Sequence, residues 1–482
     1  MTIPLRRLVA ASTAVLLSSA ILPAQIIPSQ SSSQSAYYGS VTVVQPTDGV
    51  KPLTLDEAIA MGIEHNLALI EAKKQEDIAK AQRLESLQSL LPTVTAQADS
   101  GAHQVNLAAL GFSNSVLGKI GPLFPDINFS GFSTVVKYNS TDAQVNYSQS
   151  LFNLPNIERY RAAKESTVAA YYSKQSSRGL VVLTVGNAYL YALAARAQVD
   201  NAKALLDADK VLLDQAVAEH QAGTAANLDE LRARVQFQTQ EQAVITAEVN
   251  FRKTKIALNR EIGLPAQQDI SLTDTEPYAD LATMNIDEAK RVAYQSRQDY
   301  QGLQAQVRAA QLQRKAAKWA RLPTLDFTGN YGVTGVTGGL YHGTFLAQGS
   351  LNVPIFEEAK FRGDNGVAAA NLTNLMQQLE ALREQINQQL RDSILDVQSA
   401  TELVRVARSN VELARTELEQ TTERFQAGVD DNLPVVQAQA TLANAESNLV
   451  NTTSQHNQAK LGLARNLGIV DTQYATFLKG AN

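Results

Sequence analysis

The stretch "KWARLPTLDFTGNYGV", residues 318–333, decides the fold, because the hydrophobic period changes inside it. Before "LPT" the pattern is helical. After it, Leu325, Phe327, Tyr331 and Val333 alternate with Asp326, Thr328, Asn330 and Gly332. Alternation by twos places one set of side chains on each face of a strand. A second such segment follows at 345–353, where Phe345, Ala347, Leu351 and Val353 alternate with Leu346, Gln348, Ser350 and Asn352. Segments of about ten residues with one apolar and one polar face suit barrel strands, with lipid on one side and a lumen on the other.

Working outward, the same passage is written twice. "DEA" at 56–58 recurs at 287–289, and "LPT" at 91–93 recurs at 322–324, with one common offset. A helix capped at Thr54 and running towards Pro92 therefore has a copy, with its exit signal. The first copy is also followed by alternating segments, "TVTAQA" at 93–98 and "AQVNYSQSLF" at 143–152. Between them lies a Gly/Ser/Phe-rich excursion, about 102–140, which reads as a loop long enough to be functional.

Beyond the strands the chain turns helical for unusual lengths. No proline occurs between Pro155 and Pro265, and after Pro354 only Pro434. Leu390, Val397, Val404, Val411, Leu418 and Phe425 keep a seven-residue repeat, with Ser393, Ala400, Ala407, Ala414 and Thr421 three positions later. The earlier copy answers with Val185, Ala192, Val199, Leu206 and Leu213, beside Ala188, Ala195, Ala202 and Ala216. A sustained 3.5-residue repeat predicts left-handed packing of helices. The small residues allow close approach and favour a wider helical cylinder over a two-stranded zipper.

Each long helix ends on one motif, "HQAGTAANL" at 220–228 and "FQAGVDDNL" at 425–433. Glycine suits a left-handed helix cap, and Asn227 or Asn432 suits the start of the next helix. The motif thus reads as a helix-to-helix turn at the far end of a hairpin.

Composition limits the function classes. The 482 residues are 44% hydrophobic and 6% aromatic with a net charge of −5, which suits long solvated helices and offers no basic footprint for nucleic acid. The chain has no cysteine, which removes disulfides, thiolate metal sites and a lipidated N-terminal cysteine. Arg6 and Arg7 precede an apolar run from Leu8 to Leu22 and then Ala24, the pattern of a secretory signal. No later run of 18 apolar residues appears, so membrane residence points to a closed barrel.

No catalytic constellation is present. Five scattered histidines carry no ligand spacing, and no nucleophile elbow or phosphate loop occurs in context. The expectation is a non-enzyme with no metal and no cofactor. The notable acids are Asp229, Asp430 and Asp431, at the turns. Turn and helix-start acids are ordinary, yet around a pore the same groups would form rings that favour cations.

These features in this order resemble the TolC-type outer membrane efflux proteins over essentially 53–470. The resemblance implies a mainly α fold with a membrane β-barrel portion: a duplicated helix–strand–strand–helix–helix unit, trimeric, with a 12-stranded barrel fed by four strands per protomer and an α-helical tunnel. It implies an outer-membrane channel-tunnel of a tripartite efflux or type I secretion system, with the helices in the periplasm. Its partners would be two further copies, a periplasmic adaptor, an inner-membrane pump and outer membrane lipid. Gate candidates carried over are Asp229, Phe425, Asp430 and Asp431, although some relatives have a basic residue at the place of Asp430 and an aspartate at that of Pro434. The adaptor-contacting tips match Gln221, Ala222, Gly223, Asn227 and Leu228, and Gln426, Ala427, Gly428, Asn432 and Leu433. The implied division is a signal peptide at 1–24, a flexible leader at 25–52, a first repeat at 53–265, a linker at 266–283, a second repeat at 284–470 and a tail at 471–482. The heptads alone would also allow a secreted coiled-coil structural or adhesin protein, but a soluble rod has no reason to expose the apolar strand faces.

Overall fold

The computed structural model describes residues 39–42, 45–46, 49–111, 115–116, 119, 133–224, 226–275, 277–281, 284–336 and 339–479. The signal peptide expected at 1–24 lies outside the described residues. The described chain falls into two compact units. One comprises residues up to Ile70 with Leu180–Thr275, and the other comprises Glu71–Gly179 with the residues after Thr275.

In chain order the elements are β1 (Lys51–Leu53), α1 (Leu55–His65), α2 (Leu67–Gln88), β2 (Thr93–Asn106), β3 (Val135–Phe152), α3 (Leu154–Gln221) and α4 (Asn227–Ile262). The second half gives β4 (Ile270–Leu272), α5 (Ile286–Ser296), α6 (Gln298–Trp319), β5 (Thr324–Val336), β6 (Tyr341–Asn352), α7 (Glu358–Gln426), α8 (Leu433–Leu467) and α9 (Val470–Lys479). Helix α3 has 68 residues and α7 has 69, so each is about 100 Å long at 1.5 Å per residue. One window of α3 is apolar enough by length and composition to cross a membrane, and half of it is buried within the chain.

The strands form one antiparallel sheet in the order β2-β3-β5-β6. The β3–β5 pair joins the two copies, with Tyr331 opposite Val145 on one side and Phe345 on the other. Val94, Val145, Tyr331, Phe345 and Leu351 are all exposed in the protomer. Register places Val94, Tyr147, Phe327 and Leu351 in one apolar face, while Gln97, Gln144, Asn330 and Gln348 occupy the other. The strands extend further than the sequence pattern suggested. The β2–β3 ladder runs on to Asn106 opposite Val135, so the shoulders of the 102–140 excursion are strand. Pairing supplies their order where alternation is weak, as in the stack of His103 on Tyr138, centroids 5.3 Å apart. A 3-10 turn at Leu107–Leu110 follows, and 112–114, 117–118 and 120–132 lie outside the described residues.

The heptad seams are largely buried, with Ala188, Ala195, Leu206, Leu213, Leu418, Thr421 and Phe425 half-buried. In α7, Leu390, Ser393, Val397, Ala400, Val404, Ala407, Val411 and Ala414 are all buried. In α3, Val185, Ala192, Val199, Ala202 and Ala216 are buried likewise. Large residues fill the helix–helix space and small ones let the backbones close on it.

Two sequence expectations need correction. The helix from Thr54 does not run unbroken towards Pro92. It starts with the capping box, Thr54 Oγ1 accepting from the Glu57 amide and Glu57 Oε2 from the Thr54 amide, but at Asn66 the backbone becomes extended, with ψ 127°. Arg297 breaks the second copy in the same way, with ψ 119°. No proline marks either break; distant main-chain groups meet the first, and the Arg297 side chain anchors the second. In the first unit, Val41 N–H donates to the His65 carbonyl and Leu67 N–H to that of Gly39. In the second unit, Arg297 itself donates to Asp299, to Gln389 and to the Asn466 carbonyl. Burial works to raise the Asp299 pKa, but the bond and charge of Arg297 overcome it and hold the carboxyl below its ordinary range.

The second correction concerns the leader and linker. Lys51–Leu53, at the junction of the leader and the first repeat, pairs in parallel with Ile270–Leu272 of the linker. The Asp274 carboxylate, three residues on from β4's Ser271, accepts from Tyr189 Oη at 2.8 Å and from the Leu55 amide at 2.7 Å. Burial, then that bond, raises the Tyr189 pKa. The aligned lysines keep one task in both copies. Lys255 bridges Asp269, and the fully buried Lys460 donates to the Ala279 carbonyl at 2.9 Å.

Helices α4 and α8 end at left-handed glycines, Gly263 (φ +81°) and Gly468 (φ +80°). A Cβ on Gly468 would lie 2.6 Å from the Arg297 amide nitrogen and 2.7 Å from Ser296 C. Gly428 is also left-handed, but open space surrounds it. Gly428→Ala should therefore cost about 1–2 kcal/mol, the left-handed penalty alone. Gly468→Ala adds an overpacking cost of about 1–3 kcal/mol, so chemical denaturation should place its midpoint well below that of Gly428→Ala.

Candidate functional site at the hairpin tips

Both tips are built the same way. Gln221 is the last residue of α3, Ala222 enters the turn, and Gly223 takes φ +73°. Thr224 N–H then donates to the Glu219 carbonyl and Gly223 N–H to that of His220. At the other tip Gln426 ends α7, Ala427 follows, and Gly428 takes φ +68°. Val429 N–H donates to the Arg424 carbonyl and Gly428 N–H to that of Phe425. These paired bonds are the Schellman arrangement, which satisfies the last carbonyls of a helix and requires a residue at positive φ.

The entry to the next helix differs from the sequence expectation. Asn227 is the first residue of α4 and does not cap it; the capping position is Ala226, which has no side chain to do so. Asn432 holds the capping position of α8 and is fully buried, but makes no side-chain cap bond. Asp431 Oδ1 instead accepts from the Leu433 amide at 3.2 Å. The aspartate one residue earlier reaches the free amide, so the capping group is Asp431.

Asp229 and Asp430 are each compensated within their own hairpin. Asp229 lies 3.4 Å from Arg232, and its neighbour Glu230 binds Arg234 at 2.7 Å. Asp430 Oδ2 accepts from Arg424 Nε at 2.6 Å, across the turn. That bond, with the attraction of the guanidinium, holds the Asp430 carboxyl below its ordinary range and raises Arg424. A basic group thus stands at the second tip after all, on the helix side of the glycine. Phe425 is half-buried one residue from Arg424. Leu228 is exposed at the first tip, and Val429 and Leu433 are exposed at the second. Among the described residues no three His, Asp or Glu side chains converge as metal ligands.

Sequence reasoning missed two features of the hairpins. Arg424 and Arg232 were the absent halves of the acid pairs, detectable in principle as arginines one or two turns of chain from each acid. The other is Asp209, which takes a seam position otherwise held by alanine and is 2% exposed.

Long paired helices, a sheet with one apolar face and two helical hairpin tips together describe a channel-forming membrane protein. The chain matches the outer membrane efflux protein family over residues 59–264 and 291–469, and it belongs to that family. It is 22% identical to outer membrane protein TolC of Escherichia coli strain K12 over 371 residues, 72% of this chain and 73% of that protein. It is 25% identical to the pyoverdine export outer membrane protein OpmQ of Pseudomonas aeruginosa over 450 residues, 87% of this chain and 93% of that protein. The crystal structure of the Campylobacter jejuni CmeC outer membrane channel has the same fold, with TM-score 0.70 and 16% identity over 89% of this chain and 87% of that one. The protein is an outer-membrane efflux channel and not an enzyme, and the alternative of a secreted coiled-coil protein falls.

Asp431→Ala removes the cap of α8, a loss of roughly 1 kcal/mol. Amide exchange at Leu433 and through the first turn of α8 should quicken several-fold, while the core of the α7 seam keeps its protection.

Proposed function

We propose that the protein is the passive exit duct of a tripartite efflux or type I secretion system. It works as a homotrimer, gated at its periplasmic tip and coupled by an adaptor to an inner-membrane pump. One observation carries this reading: the sheet has an apolar face and two open edges, β2 pairing only with β3 and β6 only with β5 among the described residues. In hydrocarbon each unpaired backbone group costs several kcal/mol, so only a closed barrel is tolerated. Four strands are too few to close one, the smallest membrane barrels having eight. Copies must therefore share a barrel, and three copies supply twelve strands.

The duplicated hairpins then give the trimer six tips. Gln221, Ala222, Gly223, Asn227 and Leu228, with Gln426, Ala427, Gly428, Asn432 and Leu433, form the adaptor surface. The exposed side chains of Leu228 and Leu433 give that surface its apolar contact. Asp229, Phe425, Asp430 and Asp431 line the gate. Here the arginines matter: Arg424 and Arg232 stand against Asp430 and Asp229 within each hairpin, so closure relies on compensated pairs and not on bare carboxylates.

Gly223→Val combined with Gly428→Val should abolish export while membrane insertion and trimer formation persist, since space at both glycines is free and only the backbone conformation is denied. Cells that still export at the normal rate would refute the assignment of the tips. In planar bilayers, changing Asp229, Asp430 and Asp431 to Asn should raise the hexamminecobalt(III) concentration for half block by about tenfold, equivalent to ~1.4 kcal/mol. An unchanged block would remove these acids from the pore.

A further inference from the structure

The second hairpin seals its seam with Val411, Ala414 and Leu442, against which Leu418, Ala445 and Leu449 pack. In the first hairpin, the residue aligned with Ala414 is Asp209 and the residue aligned with Ala445 is Gln240. Asp209 is buried in α3. Its Oδ2 accepts from Nε2 of Gln236 on α4 at 3.2 Å. Its Oδ1 is buried without a hydrogen-bond partner among the described residues. Gln240, one turn on, donates Nε2 to the Ala202 carbonyl at 2.9 Å. At these positions an apolar cluster in one copy is a polar ladder in the other.

Among the described residues no charge offsets the burial of Asp209. On its own helix Asp207 and Lys210 are exposed. On α4 the charged groups within a turn of Gln236 are Arg232, which faces Asp229, and Arg234, which binds Glu230. Burial, opposed only by the Gln236 bond, raises the Asp209 pKa to about 6. A lone carboxylate in such a place is costly, whereas a neutral carboxyl that both donates and accepts is not.

We propose that Asp209 and Gln236 form a proton-operated latch in the first hairpin, which closes the α3–α4 seam when the carboxyl is protonated and loosens it when ionised. With a proton on Oδ1, the carboxyl accepts from Nε2 of Gln236 and donates to Oε1 of the same amide. With the proton gone, Oδ1 is a buried, unpaired anion, and separation of α3 from α4 lets water reach it. The second hairpin, with Ala414 and Thr441 at the aligned positions, has no such latch. The folded pKa lies above the ordinary 3.8, so the closed seam binds the proton more tightly than the open one. Its stability is full below about pH 4, falls as pH rises to about 6, and stays low above that. The first hairpin is therefore the looser one at neutral pH and tightens in acid. The latch is a property of the hairpin and needs neither adaptor nor pump.

The chain has no cysteine, so paired spin labels can be placed without background. Labels at Val211→Cys and Val235→Cys, exposed positions beside the pair, report the α3–α4 distance in the full-length protein by pulsed electron resonance. Labels at Thr416→Cys and Thr441→Cys report the second hairpin. The separated population of the first hairpin should fall about tenfold from pH 7.5 to pH 5, as two macroscopic pKa values near 4 and 6 require. The second hairpin should not respond. Asp209→Ala, the residue the second copy already carries, and Asp209→Asn should both remove the response and keep the seam closed at either pH. A first hairpin insensitive to pH in the unaltered chain, or an equal response after Asp209→Ala, would overturn the latch.

Discussion

Everything in the helical part depends on one constraint: a helix of 68 or 69 residues must bury a continuous stripe along its length. Intrinsic propensity alone does not hold so long a helix straight in one place; packing of an amphipathic face does. The alternation of Leu390, Val397, Val404 and Val411 with Ser393, Ala400, Ala407 and Ala414 provides that stripe in α7. Because the small residues let backbones approach closely, the return helix can follow for its whole length, and the Gln-Ala-Gly turns can sit far from the sheet along the chain. The left-handed glycines at 223 and 428 then end each helix with its last carbonyls satisfied.

Duplication supplied the architecture, and divergence supplied the differences between its halves. The same helix break is supported by a main-chain strap at Gly39–Val41 in one copy and by the Arg297 guanidinium in the other. Even the acceptor corresponds, since Ser40 Oγ donates to the Glu261 carbonyl and Arg297 to that of the aligned Asn466. Likewise Val307 lies in an apolar cluster with Ala310 and Leu372, while the aligned Glu76 is bridged by Lys80 and Lys174 at 2.7 Å each. One backbone geometry tolerates either solution, provided every buried polar group gains a partner. At Asp209 that condition is only half met, since Oδ1 is buried without a partner among the described residues.

The tips show how electrostatics was redistributed without loss of compensation. The acid at 430 finds its base at Arg424, six residues back across the Schellman turn, and the acid at 229 finds Arg232 one helical turn on. Such exposed pairs add little stability. Their importance is in the field they leave, which is weaker than three bare carboxylates would give.

What the sequence by itself determined is everything periodic. Period two at 325–333, period seven through the long helices, the duplication and the glycine turns are local or evenly repeated, so each can be read from spacing. What only the tertiary structure decided is everything that joins residues far apart in the chain. The breaks at Asn66 and Arg297 carry no proline or glycine signal, because what holds them comes from far along the chain: main-chain groups of Gly39 and Val41 at the first, and Gln389 and the Asn466 carbonyl, reached by the Arg297 guanidinium, at the second. The β1–β4 pair links segments more than 200 residues apart. The cap of α8 falls to Asp431 and not to Asn432 because the turn's path, and not the residue type, aims the carboxylate. The pairing of Asp209 with Gln236 likewise needs α3 and α4 side by side, since a charged residue at one heptad position is legible only as an exception until its partner is in place.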